Sequence, residues 1–139
     1  MTKFEKYYFG TCLAMLASGA LLMGYWVLWP YNIITVKSPI HVISKTVKPG
    51  GLLVYEVEYC KYMSLPAIVT MQLIDMEIHF FPAITVNLPK GCTKSIRRQE
   101  LPMRLAPDFY HLHISSTYQP NPLRSITYDW DTELFQVMQ

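Results

Sequence analysis

Two histidines, three carboxylates, two cysteines and a short basic run are the residues whose types and spacing could do chemistry. His111 and His113 stand two positions apart. On a strand such residues share a face, so both imidazoles would reach one metal ion. Zinc asks for three or four ligands, and no spacing ties His41 or His79 to the pair. The plainer reading is a pair of half-exposed strand histidines, and no metal is expected. Asp129, Asp131 and Glu133 alternate in the same way. Carboxylates bind calcium when a glycine-bearing loop wraps the ion, and none surrounds these three. They read as the solvated face of the last strand.

Nucleophiles are no better supported. The sequence has no Gly-x-Ser-x-Gly, no phosphate-cradling glycine loop and no His-Glu-x-x-His. Cys60 lies between Tyr59 and Lys61 with no partner histidine assignable. No catalytic and no cofactor-binding residue is assigned. Cys60 and Cys92 either pair as a disulfide in an extracytoplasmic domain or stand as two separate buried thiols. Lys90, Lys94, Arg97, Arg98 and Arg104 form the main basic concentration. They would meet an acidic partner or anionic lipid, or protect an edge strand by charge. A formal net charge of +2 over 139 residues does not suggest a nucleic-acid binder.

The element that must carry all of this is N-terminal. Residues 7–29, YYFGTCLAMLASGALLMGYWVLW, hold no charge. As a helix they would span about 34 Å, enough to cross a hydrocarbon core of about 30 Å. Tyr7, Tyr8 and Phe9 mark one end; Tyr25, Trp26, Trp29 and Tyr31 mark the other, as interfacial aromatic belts do. Pro30 stops the helix. A cleaved signal peptide is the rival, with Ala17-Ser18-Gly19 as its cleavage site. The apolar run continues well past that point, which favours a retained single-pass anchor over residues 1–31. Lys3 and Lys6 flank the near end closely, whereas the far flank offers no base before Lys37. That asymmetry predicts a cytoplasmic N-terminus and places residues 32–139 outside the cytoplasm, in the periplasm of a bacterium. Gly10, Ala14 and Ser18 recur every four residues, a spacing that lets two helices approach closely in lipid.

Residues 32–139 read as strands. Short β-branched and aromatic runs are broken by Pro, Gly and Asn, at residues 40–47, 52–62, 67–75, 76–81, 83–88, 92–101, 109–118, 124–130 and 133–138. The last two either stand apart or join as one strand kinked by a bulge near Asp131. In residues 52–62, Leu53, Tyr55, Val57 and Tyr59 form the apolar face; in residues 109–118, Tyr110, Leu112 and Ile114 do. Seven or eight such strands imply an antiparallel sandwich.

The stretch Leu105-Ala106-Pro107-Asp108-Phe109-Tyr110 resembles the tyrosine corner of immunoglobulin-like and fibronectin-type domains. The resemblance implies that the Tyr110 hydroxyl bonds back across the preceding turn. No cysteine follows Tyr110 by two positions, so the antibody-type intersheet disulfide is not implied. The layout of basic start, anchor and compact β-domain, with NPLRSITYDWDTELFQV at its end, is similar to small membrane proteins encoded by tailed bacteriophages. That likeness implies a place in the envelope of an infected cell. The expected function is therefore non-enzymatic: binding a protein partner at a membrane surface, or self-association. The alternatives are a structural subunit of a membrane or virion assembly and, third, an envelope hydrolase.

Overall fold

The structure, a computed structural model, describes residues 2–138. It is mainly β with one N-terminal apolar helix, α1 (Lys3–Leu28). The chain divides into two units. One runs to Tyr31 and takes in Pro120–Arg124; the other takes in Asn32–Gln119 and the chain from Ser125 on.

In the first unit α1 has 26 residues, about 39 Å of helix, and none of them is buried. It begins before the apolar run because Thr2 caps it. The Thr2 hydroxyl accepts from Glu5 N–H, and the Glu5 carboxylate accepts from Thr2 N–H at 2.6 Å. Such a reciprocal cap adds about 1 kcal/mol. At the other end no basic residue lies in the last turn. Arg124 supplies the missing cation, its Nη1 donating to the Val27 carbonyl at 2.8 Å and the Trp29 carbonyl at 2.7 Å. Helix ends leave four carbonyls without partners and carry partial negative charge, so a guanidinium answers both needs. Asn121 Nδ2 donates to the Trp26 carbonyl at 3.0 Å.

The second unit is built from β1 (Ile34–Val36), β2 (His41–Val42), β3 (Thr46–Val47), β4 (Leu52–Lys61), β5 (Ala67–Ile74), β6 (Ile78–Phe80), β7 (Ile84–Val86), β8 (Gly91–Glu100), β9 (Phe109–Asn121), β10 (Arg124–Asp131) and β11 (Phe135–Val137). In the first sheet β4 is central. β8 lies along one side of it over the full length, from Leu52↔Glu100 to Lys61↔Gly91. β1 and β2 lie end to end along the other side. In the second sheet β9 and β5 are central. β10 and β11 pair with β9, while β6 and β7 pair with β5. All strand ladders with a known register are antiparallel except β3 on β11, and an isolated bridge between Ile40 and Thr132 is parallel too.

One core joins the inner faces. Leu53 and Tyr55 come from β4, Met71 and Leu73 from β5, Tyr110, Leu112 and Ile114 from β9, and Phe135 and Val137 from β11. The period-two reading of residues 52–62 and 109–118 describes these faces. Lys61 continues the β4 inner face and is buried too, which the sequence did not announce. The two sheets are not closed: among the described residues no strand joins β8 to β6 or β7.

One expected strand is broken. Residues 40–47 do not form one run; β2 belongs to the first sheet and β3 to the second. Ser44 is the reason. Its hydroxyl accepts from Val54 N–H at 2.7 Å, while Ile43 N–H and Ser44 N–H both turn onto the Val54 carbonyl. The ladder to β4 ends there, and the chain leaves for β11. The runs 124–130 and 133–138 stand apart as β10 and β11, parted at Thr132. This buried threonine exchanges bonds with Leu112 from both its N–H and its Oγ1. Glu133 is thereby swung off the face that Asp129 and Asp131 share.

Candidate functional site

The outer face of the β9–β10 pair holds the histidines. His113 Nδ1 lies 2.7 Å from Asp131 Oδ1, and its Nε2 lies 3.3 Å from Ser115 Oγ. Serine, histidine and aspartate thus stand in a row, an arrangement the sequence reading missed because the serine came two residues after the histidine on a strand. It is not a nucleophile's geometry. Ser115 Oγ donates its single proton to Asp129 Oδ1. His113 Nε2 then cannot accept that proton, as a general base must. His111 stands 3.9 Å from Asp131. Among the described residues no group of three or more His, Cys, Asp or Glu is placed to hold a metal. Glu133, expected beside the two aspartates, instead accepts from Val42 N–H at 3.2 Å and meets His41 Nδ1 at 2.9 Å. The Val42 N–H bond, then the imidazole, hold its carboxyl below the usual range.

Cys60 and Cys92 stand directly opposite each other on β4 and β8 and are joined as a disulfide. Cys12 is a free, exposed thiol on α1. Gly10, Ala14 and Ser18 lie on one face of α1, and a side-chain carbon at Gly10 would meet nothing within 4 Å. Ser18 Oγ turns back onto the Met15 carbonyl.

The basic run does not form one patch. Lys94, Arg97 and Arg98 lie on β8, Lys90 just before it and Arg104 beyond it, all exposed. Register splits them. Arg97 stands opposite Tyr55, whose side chain points into the core, so Arg97 takes the inner face. Lys94 and Arg98 take the outer face. Lys94 Nζ binds Glu56 at 2.7 Å, and that bond holds its ammonium above the usual range. Glu58 is taken by Lys37 at 3.3 Å. Arg97 and Arg98 have no ion-pair partner among the described residues.

Behind Arg97 the open side of the two sheets forms a cleft of about 220 Å³. Tyr55, Val57 and Tyr59 of β4 line one wall; Val69, Ile84 and Val86 of β5 and β7 line the other. An apolar cavity of about 150 Å³ already holds a benzene ring, so this one has room for side chains. Burial pushes the Tyr55 hydroxyl up, and the Arg97 charge at the mouth pulls it partly back. The sequence carried a signal for this site, legible as a polar edge strand but not as a cleft. The inner-face positions of β8 are Thr93, Ser95, Arg97 and Gln99, all polar. A strand polar on both faces has no layer opposite it.

The cleft hangs on Lys61. Its Nζ donates to the Leu65 carbonyl at 2.7 Å, the Leu88 carbonyl at 2.9 Å and Asn87 Oδ1 at 3.4 Å. Burial lowers its ammonium from the ordinary value. Two of these bonds fix the segment after β7 and the third holds the β4–β5 connection; Leu88 on the former segment lines the cleft.

No family model and no curated protein matches the chain. Among solved structures it is similar to the Pseudomonas fluorescens alkylpurine DNA glycosylase AlkC bound to DNA containing an abasic site analog, at 10% identity and a TM-score of 0.45. The match covers 86% of this chain and 33% of that one. It is also similar to a β-glucosidase from Listeria innocua in complex with glucose, at 13% identity and a TM-score of 0.39, over 73% of this chain and 16% of that one. The chain therefore spans a third or less of these neighbours.

Proposed function

We propose that this is a single-pass membrane protein whose β-unit is an immunoglobulin-like sandwich serving as a non-enzymatic binding module for another protein at the membrane surface. The observation that carries the reading is the unpaired, ten-residue β8 edge beside an open apolar cleft. Exposed edges and loops of a fixed scaffold are where such domains bind. The membrane side rests on α1, which is long and apolar enough to span and has no buried residue. Lys3 and Lys6 favour a cytoplasmic N-terminus, and a disulfide in the β-unit suits an oxidising compartment outside the cytoplasm. The immunoglobulin-like assignment is supported by the Tyr110 hydroxyl, which donates to the Ala106 carbonyl at 3.0 Å as a tyrosine corner does. It is supported too by β3 running parallel to β11 at the sandwich rim. A second reading, a subunit of a larger membrane assembly, is favoured by the open small-residue face of α1 at Gly10, Ala14 and Ser18.

The test is photocrosslinking in membranes that carry the full chain. Crosslinking groups are placed in turn at positions 96, 68 and 127, and the membranes are washed with alkaline carbonate beforehand. A discrete protein adduct from at least one position, on a chain that resists the wash, is expected. Loss of the chain in the wash, or adducts to lipid alone, would overturn the reading.

A further inference from the structure

Resting on the binding-module reading, we propose that β8 and the cleft form an acceptor site for one added strand. The occupant is an extended segment of a partner polypeptide with apolar residues on its inward face and carboxylates within reach of Arg97 and Arg98.

Four observations converge on that occupant. First, β8 offers an unpaired backbone edge of ten residues, about 33 Å long, with no proline and no bulge in its ladder to β4. Proteins blunt such edges by shortening, bending or charging them, and of these devices β8 carries only charge. Second, the layer that a further strand would cover is already apolar. Ile84 is 46% exposed, and Val86 and Val69 are half-buried beside it in the cleft. A strand next to β8 would set every second side chain over Ile84 and Val86. Third, β8 alone cannot close that layer, because its inward residues are Thr93, Ser95, Arg97 and Gln99. Fourth, the β4 carboxylates that face β8 are engaged: Glu56 holds Lys94 and Glu58 holds Lys37, so neither neutralises Arg97 or Arg98.

The charges also argue against a second copy of this chain. Pairing two β8 edges antiparallel about Ile96 sets Lys94 opposite Arg98 on the outer face in both halves. Like charges directly opposite are destabilising. An acyl chain would fill the cleft but would pair with none of the β8 backbone groups.

The experiment uses the full chain in lipid nanodiscs and a ten-residue peptide of alternating valine and glutamate as probe. Hydrogen exchange should slow at least tenfold at alternate amides within Gly91–Glu100. A probe N-methylated at every second backbone nitrogen on the paired edge should lose that effect. A valine–lysine peptide should bind at least tenfold more weakly. Arg97→Glu with Arg98→Glu, and separately Ile84→Asp, should weaken the valine–glutamate probe at least tenfold. If a variant fails to fold, the methylated probe on the unaltered chain decides. Unchanged β8 exchange with the probe in excess, or equal binding of the methylated probe, overturns the proposal. So does decanoate occupying the cleft while the peptide leaves β8 unprotected. So does β8 protection that rises with protein concentration without any peptide, which would assign the edge to a second copy. A protein crosslink from position 68 together with an unprotected β8 would leave the binding module standing and remove the strand acceptor.

Discussion

β8 and β9 are both long strands with regular alternation, yet they live in different surroundings. Along β9 every second residue from Tyr110 to Tyr118 is buried. Along β8 none is, on either face. β9 has neighbours on both edges and a sheet across from its inner face; β8 has β4 on one edge and a cleft beneath. Period two therefore says which residues share a face, and only an opposing layer decides that the face is buried. β9 is a strand that stability needs, whereas β8 contributes no buried side chain.

The sharpest test of that contrast exchanges side chains at matching inward positions. Tyr110→Ala should cost about 3–5 kcal/mol, as aromatic truncations in cores do. Arg97→Ala should stay within about 0.5 kcal/mol. Chemical denaturation of both variants measures the two, and equal costs would erase the distinction. The next effect concerns what ties β8 down. The Cys60–Cys92 bond closes a loop with a sequence separation of 32. Replacing both cysteines by serine should cost about 3–4 kcal/mol through chain entropy. Exchange protection should fall first along β8 and last along β9; uniform loss would mean that β8 is as integral as β9.

Lys61→Met should cost about 1–3 kcal/mol, because it leaves the part-buried Leu65 and Leu88 carbonyls without their donor. The loss should be accompanied by faster exchange in the segment after β7, while β9 stays protected. The smallest effect is a matter of pH. Burial, and after it Asp75, push the Tyr110 hydroxyl up to about 12 from 10.0. The stability it contributes is whole below pH 10 and is lost as pH rises through about 12. Tyr110→Phe, costing about 1 kcal/mol at neutral pH, should lessen the fall of the denaturation midpoint between pH 10 and 12. Lys61 has the opposite sign. Its lowered folded value means that its penalty is relieved as pH rises toward 10.5.

Much of the β-unit was legible because local pattern and burial agree there. Tyr110, Leu112 and Ile114 were readable as an inner face, and Pro30 as the end of α1. Breaks that depend on one distant hydrogen bond were not readable. Ser44 looks like any strand serine until Val54 stands beside it; at Thr132 the break itself was readable, and only the Leu112 bonds that fix it were not. The candidate site was legible only in its charges. Arg97 and Arg98 are adjacent in sequence, but register sends them to opposite faces, and the cleft behind Arg97 exists because two sheets stop short of meeting. Lys61 hid in plain sight as the last member of an apolar face.

That lysine constrains what may stand in its place. Among the described residues it has no carboxylate beside it; its ammonium wears protein oxygens where water had been, and the Tyr118 ring lies 5.8 Å away. It behaves as a dehydrated cation held by carbonyl oxygens, as an ion is held in a selectivity filter. Such a cage discriminates by size and by donor geometry. The flat fork of arginine cannot converge on one point as an ammonium does, and a neutral side chain of equal length brings no donors. Position 61 should therefore refuse both conservative exchange and neutral drift, although its role is to seat other residues and not to touch a ligand.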